Sequence, residues 1–371
     1  MKMKTVHISF SVIVLLLFFF GSCKPEDEDP IDNSIKLCAT DSVIFANKKE
    51  SQLIFIDTKD SWTLSSNTSW ITFSTNTGTG KTGILVGVTE NSGFERSGIV
   101  TIKAGIKEHT IKLTQIAAPS FEIDIDGVKF KLIYIEGGTF AMGDNLNSTP
   151  IHNVKLTDYY ICEAEVTNGL WKTIMGNLPY DTLSNYVNYR QYDKLFLPVS
   201  AVSWNEILTD FIPKLKSKTG LQFRLPTEAE WEFAAKGGLK SKGYQYSGSN
   251  NIDDVAWIIF SSDRMKQDVM EKQPNELLLY DMSGNVAEWC SDWYEKNYST
   301  SELLTNPKGP SSGDLRIVRG GDYLTQTGFG GYAGCKVTSR GGVSPNGYYT
   351  NPTGDSIFVC DPIGFRLVFS N

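Results

Sequence analysis

Histidine is scarce: the 371-residue chain has three, and only His152 falls beyond residue 118. A Ser-His-Asp arrangement in that stretch would hang on this one ring, beside Pro150 in a loop-like segment, and nothing supports it. An iron site built from several imidazoles is excluded in the same way. His152 itself is expected at the surface. Cysteine is sparse too, with six in all and no CxxC spacing, which argues against a zinc site. Beyond Cys23 the cysteines are Cys38, Cys162, Cys290, Cys335 and Cys360, an odd number that leaves at least one thiol free or paired with another chain. Basic charge is in deficit: the net charge of -7 excludes the basic surface that nucleic-acid phosphates require. Long apolar runs are missing everywhere except Ile8 to Phe20, so no later segment reads as a membrane span.

That one apolar run follows Lys2 and Lys4 and is closed by Gly21, Ser22 and Cys23. A basic start, a short apolar stretch and small residues before a cut describe a secretory signal over 1–22. The Gly-Ser-Cys ending resembles a bacterial lipobox, which makes Cys23 the expected lipidated first residue of an outer-membrane lipoprotein. Several acyl chains anchor stably where one is marginal. Residues 23–33 form an acidic tether, with Glu26 to Asp29 either a plain solvated spacer or, by resemblance, the export tag of surface lipoproteins in Bacteroidetes.

Residues 34–118 carry short alternating strands and no helical period. Ile99 to Ala104 and Thr110 to Ile116 are bounded by Gly98, Gly105 and turn residues, as in a small sandwich. Gly78-Thr-Gly-Lys-Thr82 imitates the end of a phosphate loop, but Thr75 stands where its first glycine belongs, and a hairpin turn is expected. The stretches S69-W-I-T-F-S74, N91-S-G-F-E-R-S-G-I-V-T-I102 and I111-K-L-T-Q115 resemble a BACON domain, an immunoglobulin-like module. A spacer role is expected of it.

After Ala117-Ala118-Pro119 the pattern becomes mixed. Ser203 with Glu206 and Thr227 with Glu230 form capping boxes that start helices. Pro213 is expected to kink or end the first, and Gly237-Gly238 to end the second. Glu228, Glu230 and Glu232 read as helix-start charge that complements the dipole. The ordered motifs I135-E-G-G-T-F-A-M-G143, Y160-I-C-E-A-E-V-T-N168, L197-P-V-S-A-V-S-W204, F223-R-L-P-T-E-A-E-W-E-F233, Y280-D-M-S-G-N-V-A-E-W289, R319-G-G321 and I363-G-F-R-L-V368 resemble a formylglycine-generating enzyme (sulfatase-modifying-factor) domain over 119–371. The fold class implied is α+β, an immunoglobulin-like β-sandwich followed by a C-type-lectin-like domain.

The resemblance also implies chemistry, and the residues depart from it. The enzymes bind copper(I) through two cysteines five residues apart, shortly after R-G-G, because soft thiolates suit that ion. Here those positions hold Thr325 and Gly330, so copper is not expected and the domain reads as non-catalytic for that reaction. The family's calcium site falls on Asp281, Gly284, Val286 and Glu288, two side-chain and two carbonyl donors of the kind calcium takes. By the same resemblance Cys290 pairs with Cys335 and Cys162 with Cys360, which leaves Cys38 free. The segment Asp322 to Gly354 replaces the catalytic stretch and is rich in Tyr, Gly and Ser, a composition of adaptable binding loops. Tyr323, Thr325, Phe329, Tyr332, Asn346, Tyr348 and Tyr349 are the candidate ligand contacts, for a surface glycan or a protein. A sulfatase-modifying oxidase, a tailoring oxidase or a structural envelope part are the alternatives.

Overall fold

The computed structural model describes residues 36–37, 41–144, 150–179, 194–296, 303–326, 334–350, 356–358 and 361–370. Cys23, Cys38, Phe329, Gly330, Tyr332 and Cys360 lie outside the described residues. The α+β class holds, with many short strands and few helices. The chain divides into two compact units. The first comprises Ser51–Gly87 and Gly98–Leu113 with the chain up to Val43; the second comprises Thr114–Asn371 with Ile44–Glu50 and Val88–Ser97. Among the described residues no helix is long and apolar enough to cross a membrane.

The first unit is a β-sandwich whose strands alternate as half-buried strands must. Trp62 and Leu64, Ile84 and Val86, Val100 and Ile102, and Ile111 and Leu113 are buried, with the residues between them facing outward. Each such burial contributes roughly 1.5–3 kcal/mol. One sheet has four strands, in the order Lys36–Leu37, Glu50–Asp57, Thr82–Val88, Ile71–Phe73. The other has five: Ser42–Phe45, Lys107–Gln115, Arg96–Ala104, Ser61–Ser66, Thr77–Thr79. The turn at Gly80, where φ is +66°, joins Thr77–Thr79 to Thr82–Val88. It is not the hairpin expected from its sequence, since these two strands belong to different sheets and the turn carries the chain from one to the other. Gly78 admits no side chain, because a Cβ there would sit 2.2 Å from the Trp62 ring.

The second unit is built on a five-stranded sheet in the order Ser120–Ile125, Val128–Ile135, Tyr159–Cys162, Val368–Phe369, Phe223–Arg224. The last strand of the chain thus closes against one near the start of the unit. A four-stranded sheet, Arg340–Val343, Arg316–Arg319, Ala287–Trp293, Ile363–Gly364, carries most of the residues discussed below. His152 is buried, contrary to the surface placement expected. It begins the strand His152–Leu156, and its Nδ1 lies 3.1 Å from the Pro150 carbonyl.

Pro213 does not end its helix. Trp204–Glu206 runs into a π-helical turn, Ile207–Phe211, and on into Ile212–Thr219. The wider turn, closed by Ile212 N–H on the Ile207 carbonyl, absorbs the missing amide of Pro213 at the head of the last segment. This keeps Phe211 in the core, stacked on Trp171 at 5.0 Å with an interplanar angle of 5°.

The helix Glu228–Ala235 starts as its capping box dictates, with Thr227 and Glu230 bonded reciprocally, and it stops at Lys236 before Gly237 at φ +90°. It is buried on every side, charged residues included. Its glutamates are therefore not simply dipole complements. Glu228 Oε1 accepts from Arg319 Nε at 2.9 Å, and Glu232 Oε2 accepts from Arg319 Nη2 at 2.6 Å. Arg340 also grips Glu228 and Lys236 grips Glu232. Burial pushes the Glu232 carboxyl up, but the Arg319 and Lys236 charges outweigh it and hold the group below the usual carboxylate range.

Removing one partner of such a pair strands a buried charge. Arg319→Ala should cost about 3–5 kcal/mol in urea unfolding. A loss below ~1 kcal/mol, the scale of an exposed ion pair, would refute the role assigned to Arg319.

Candidate functional site

Arg319 ends its strand, and Gly320 and Gly321 follow at φ +92° and +69°. A Cβ on Gly320 would lie 3.2 Å from Trp231, so the glycine also lets the backbone pass that ring. The turn delivers Asp322 to Thr325 into a closed network. Leu324 N–H donates to Asp322 Oδ1 at 2.8 Å, Asp322 N–H donates to Thr325 Oγ1 at 3.0 Å, and Thr325 N–H returns to the Asp322 carbonyl at 2.9 Å. Tyr323 N–H donates to the Asn285 carbonyl, and Ser262 Oγ donates to the Tyr323 carbonyl. Asp322 Oδ2 is buried with no hydrogen-bond partner among the described residues. Burial pushes the Asp322 carboxyl up to about 6.

Two candidate ligand contacts move inward as a result. Tyr323 and Thr325 are buried, with 4% and 3% of their surface exposed, because the same bonds that shape the turn draw both side chains into the domain. Asn346 and Tyr348 do face solvent. Asn346 Oδ1 accepts from Tyr348 N–H and from Ser344 Oγ, which folds the chain before the strand Tyr348–Thr350 pairs with Ser356–Phe358. Tyr349 lies in that pair, opposite Ile357.

The thiols do not form the pair expected. Cys290 and Cys335 are free and buried in separate apolar clusters, Cys290 beside the Trp231 cluster and Cys335 with Ala256 and Ile258. Cys162 is also a free buried thiol, and its expected partner Cys360 lies outside the described residues. Burial, with the Asp322 charge added, pushes the Cys335 thiol up to about 12, and burial pushes Cys290 well up. A copper(I) site needs thiolates. Thr325 supplies a hydroxyl already committed to the Asp322 amide, and the thiol nearest to it is a lone, protonated one. The donor set does not fit copper.

The calcium positions are held by protein groups instead. Glu288 Oε1 accepts from Arg366 Nη2 at 2.6 Å, and its Oε2 accepts from Arg366 Nε at 2.7 Å and from Trp231 Nε1 at 2.8 Å. Asp281 Oδ2 accepts from Met270 N–H at 2.8 Å. The turn between them is fastened by Glu165, whose two oxygens accept from Val286 N–H and Asn285 Nδ2 at 3.0 and 2.9 Å. Gly284 approaches Trp257 so closely that a Cβ would meet its carbonyl oxygen at 2.4 Å. Glu288 is thus not available to an ion in this arrangement, and the four-donor calcium set does not fit. Among the described residues no cluster of three or more acidic, His or Cys side chains is placed to hold a metal.

Around this turn carboxylates outnumber their partners. Burial, then the charges of Asp281 and Glu288, push Glu165 well above the usual range; burial takes Asp281 up to about 6. Lys266 is also buried, its Nζ bonded to the Pro198 carbonyl and Ser200 Oγ, and burial lowers its pKa to about 7. The sequence reading missed Glu165, Lys266 and Arg366. Arg366 had a visible signal, an arginine inside the apolar run I363-G-F-R-L-V368, where a charge demands a buried partner.

Two outcomes follow for solution measurements. The protonated form of Asp322 is favoured by folding, so its contribution is complete below its ordinary value of 3.8 and is lost as pH rises through about 6. Relative to wild type, Asp322→Asn should therefore gain up to roughly 3 kcal/mol between about pH 4 and pH 7. A difference that stays flat over that window would refute the placement. Calcium should leave the wild-type melting temperature unchanged; a rise that Glu288→Ala abolishes would mean that the ion takes Glu288 from Arg366.

Residues 127–369 match the sulfatase-modifying factor enzyme 1-like domain, and residues 60–115 match the BACON domain. The chain is 31% identical over 236 residues to a chaperone protein LppX of Paenibacillus barcinonensis, covering 52% of this chain and 79% of that one. It is 28% identical over 253 residues to a formylglycine-generating enzyme of Streptomyces coelicolor, covering 52% and 78%. Among solved structures it is similar to Treponema denticola variable protein 1, at 29% identity and a TM-score of 0.57, over 69% of this chain and 100% of that one. With its second unit matched almost from end to end, the chain belongs to the family that carries the sulfatase-modifying factor enzyme 1-like domain.

Proposed function

We propose that this domain is a non-catalytic, ligand-binding head of an exported lipoprotein, anchored through Cys23 in the outer membrane and carried above it by the acidic tether and the BACON domain. The observation that carries the reading is Thr325. At the first copper position of the family it offers a hydroxyl bonded to the Asp322 amide, and the neighbouring Cys335 is a protonated, buried thiol. A site of this kind cannot assemble the paired thiolates on which the family's oxidation depends.

The exposed part of the same segment supports a binding role. Asn346 and Tyr348 stand out where local hydrogen bonds through Asn346 Oδ1 shape the chain before a strand pair, and a tyrosine held in this way gives contact area at little entropic cost. The likeness to a protein named for its variability points the same way, since loops can vary only where the fold does not depend on them. The ligand class is a surface glycan or a protein. A glycan array, followed by capture of envelope proteins, reads it directly.

Tyr348→Ala should weaken the interaction found by at least tenfold without lowering the melting temperature. Full binding by that variant would remove the hairpin from the site. Incubation with copper, oxygen and a sulfatase peptide should yield no formylglycine; its appearance in the mass spectrum would overturn the non-catalytic reading.

A further inference from the structure

The second unit holds a cavity of about 310 Å³ that shares no lining residue with the Asp322–Thr325 turn or the hairpin. It opens beside the first turn of the helix Glu228–Ala235, against the end of the strand Ala287–Trp293. Its volume lies at the lower end of the ~300–1,000 Å³ of small-molecule sites. That size takes one ring rather than a chain of them.

Asp292 is the polar group that the cavity leaves unanswered. Only 4% of the residue is exposed. Its Oδ2 accepts from Glu228 N–H at 3.0 Å and from Ser291 Oγ at 2.9 Å. Its Oδ1 makes no hydrogen bond among the described residues and is not sealed from solvent, so an occupant of the cavity can reach it. Gly309, which also lines the cavity, leaves this oxygen open: a Cβ at Gly309 would sit 3.3 Å from Oδ1.

The surroundings decide what could answer it. Glu228 is neutralised by Arg319 and Arg340, which together occupy both its oxygens. At the exposed rim Glu295 and Lys308 contribute one charge of each sign. Apart from Asp292 itself, the charges that line the cavity balance. Much of the wall is apolar, from Trp293, Leu304 and Pro307. An occupant must therefore be small and neutral, with an apolar face for this wall and a hydroxyl for Oδ1. Burial and the nearby Glu228 charge push the Asp292 carboxyl up to about 7, so at neutral pH it can either give or take a hydrogen bond, as hydroxyls require.

We propose that this cavity is a binding site for a single neutral sugar ring, with Asp292 Oδ1 as its central hydrogen-bonding group and the Trp293–Leu304–Pro307 wall as its apolar platform. The proposal stands apart from the hairpin reading, and neither depends on the other.

Saturation-transfer NMR on the full chain with the methyl glycosides of glucose, galactose, mannose, fucose, xylose and N-acetylglucosamine tests it. At least one glycoside should receive saturation. Asp292→Leu removes the polar group and Leu304→Trp fills the space, so each should weaken that binding at least tenfold. Lys81→Ala, in the first unit, should leave it unchanged. Near-UV circular dichroism establishes that each variant is folded, and Leu304→Trp decides alone if the Asp292 variant is not. The proposal is overturned if no glycoside receives saturation, if binding survives in the folded cavity variants, or if methylamine or acetate occupies the cavity instead.

Discussion

Arg319 joins what the sequence keeps far apart. Its guanidinium, wholly buried, spans Glu228 and Glu232 on one helix and reaches the carbonyls of Val337 and Ser339 within the Asp322–Gly354 segment. Two carboxylates one helical turn apart could not be buried without a cation between them. Their helix can be buried on all sides because Arg319, with Arg340 and Lys236, is there. The position of Arg319 in turn fixes the Gly320-Gly321 turn, and so the entry of Asp322 into the domain. One ion-paired triad therefore sets both the core helix and the start of the loops that would meet a ligand.

A second arginine plays the corresponding part nearby, on Glu288, which pairs with Arg319 in the same sheet. Arg366 donates twice to Glu288 and also to the carbonyls of Cys162 and Tyr280. It does with nitrogen donors what an ion would do from the oxygen side, drawing separate chain segments around one centre of charge. The two schemes compete, because Glu288 cannot give the same lone pairs to a guanidinium and to a cation. Burial raises the pKa of the Asp281 and Glu165 carboxyl groups around it.

What was legible in the sequence was local. Thr227 and Glu230 lie three residues apart, and their capping box forms as written. The alternation of Trp62 with Leu64 and of Val100 with Ile102 was enough to place strands. Whatever depended on distant partners was not legible. Glu228 and Glu232 look like any charged helix start until Arg319, 91 residues on from Glu228, is brought beside them. Tyr323 and Thr325 have the composition of a binding loop, and composition says nothing of whether a hydroxyl is turned inward by a neighbouring amide. Pro213 carries a real steric demand, but the demand admits two solutions, and the packing of Phe211 on Trp171 selects the π-turn over a break. The expected pairing of Cys290 with Cys335 failed because matching family positions does not ensure that two side chains enter the same apolar cluster.

On the proposed non-catalytic reading, Thr325 takes a structural part. A thiolate at this position would have to remain unprotonated and open to an ion, beside a buried carboxyl that already lacks one partner. A hydroxyl faces neither requirement. It accepts from the Asp322 amide, closes the turn, and lets Asp322 be buried in its protonated form. Val337, Ser339 and Arg340, beyond that point, still belong to the Arg319 network, while Asn346 and Tyr348 face solvent. A rigid base with an unconstrained rim is the physical condition for a surface that acquires new ligands while its fold stays the same.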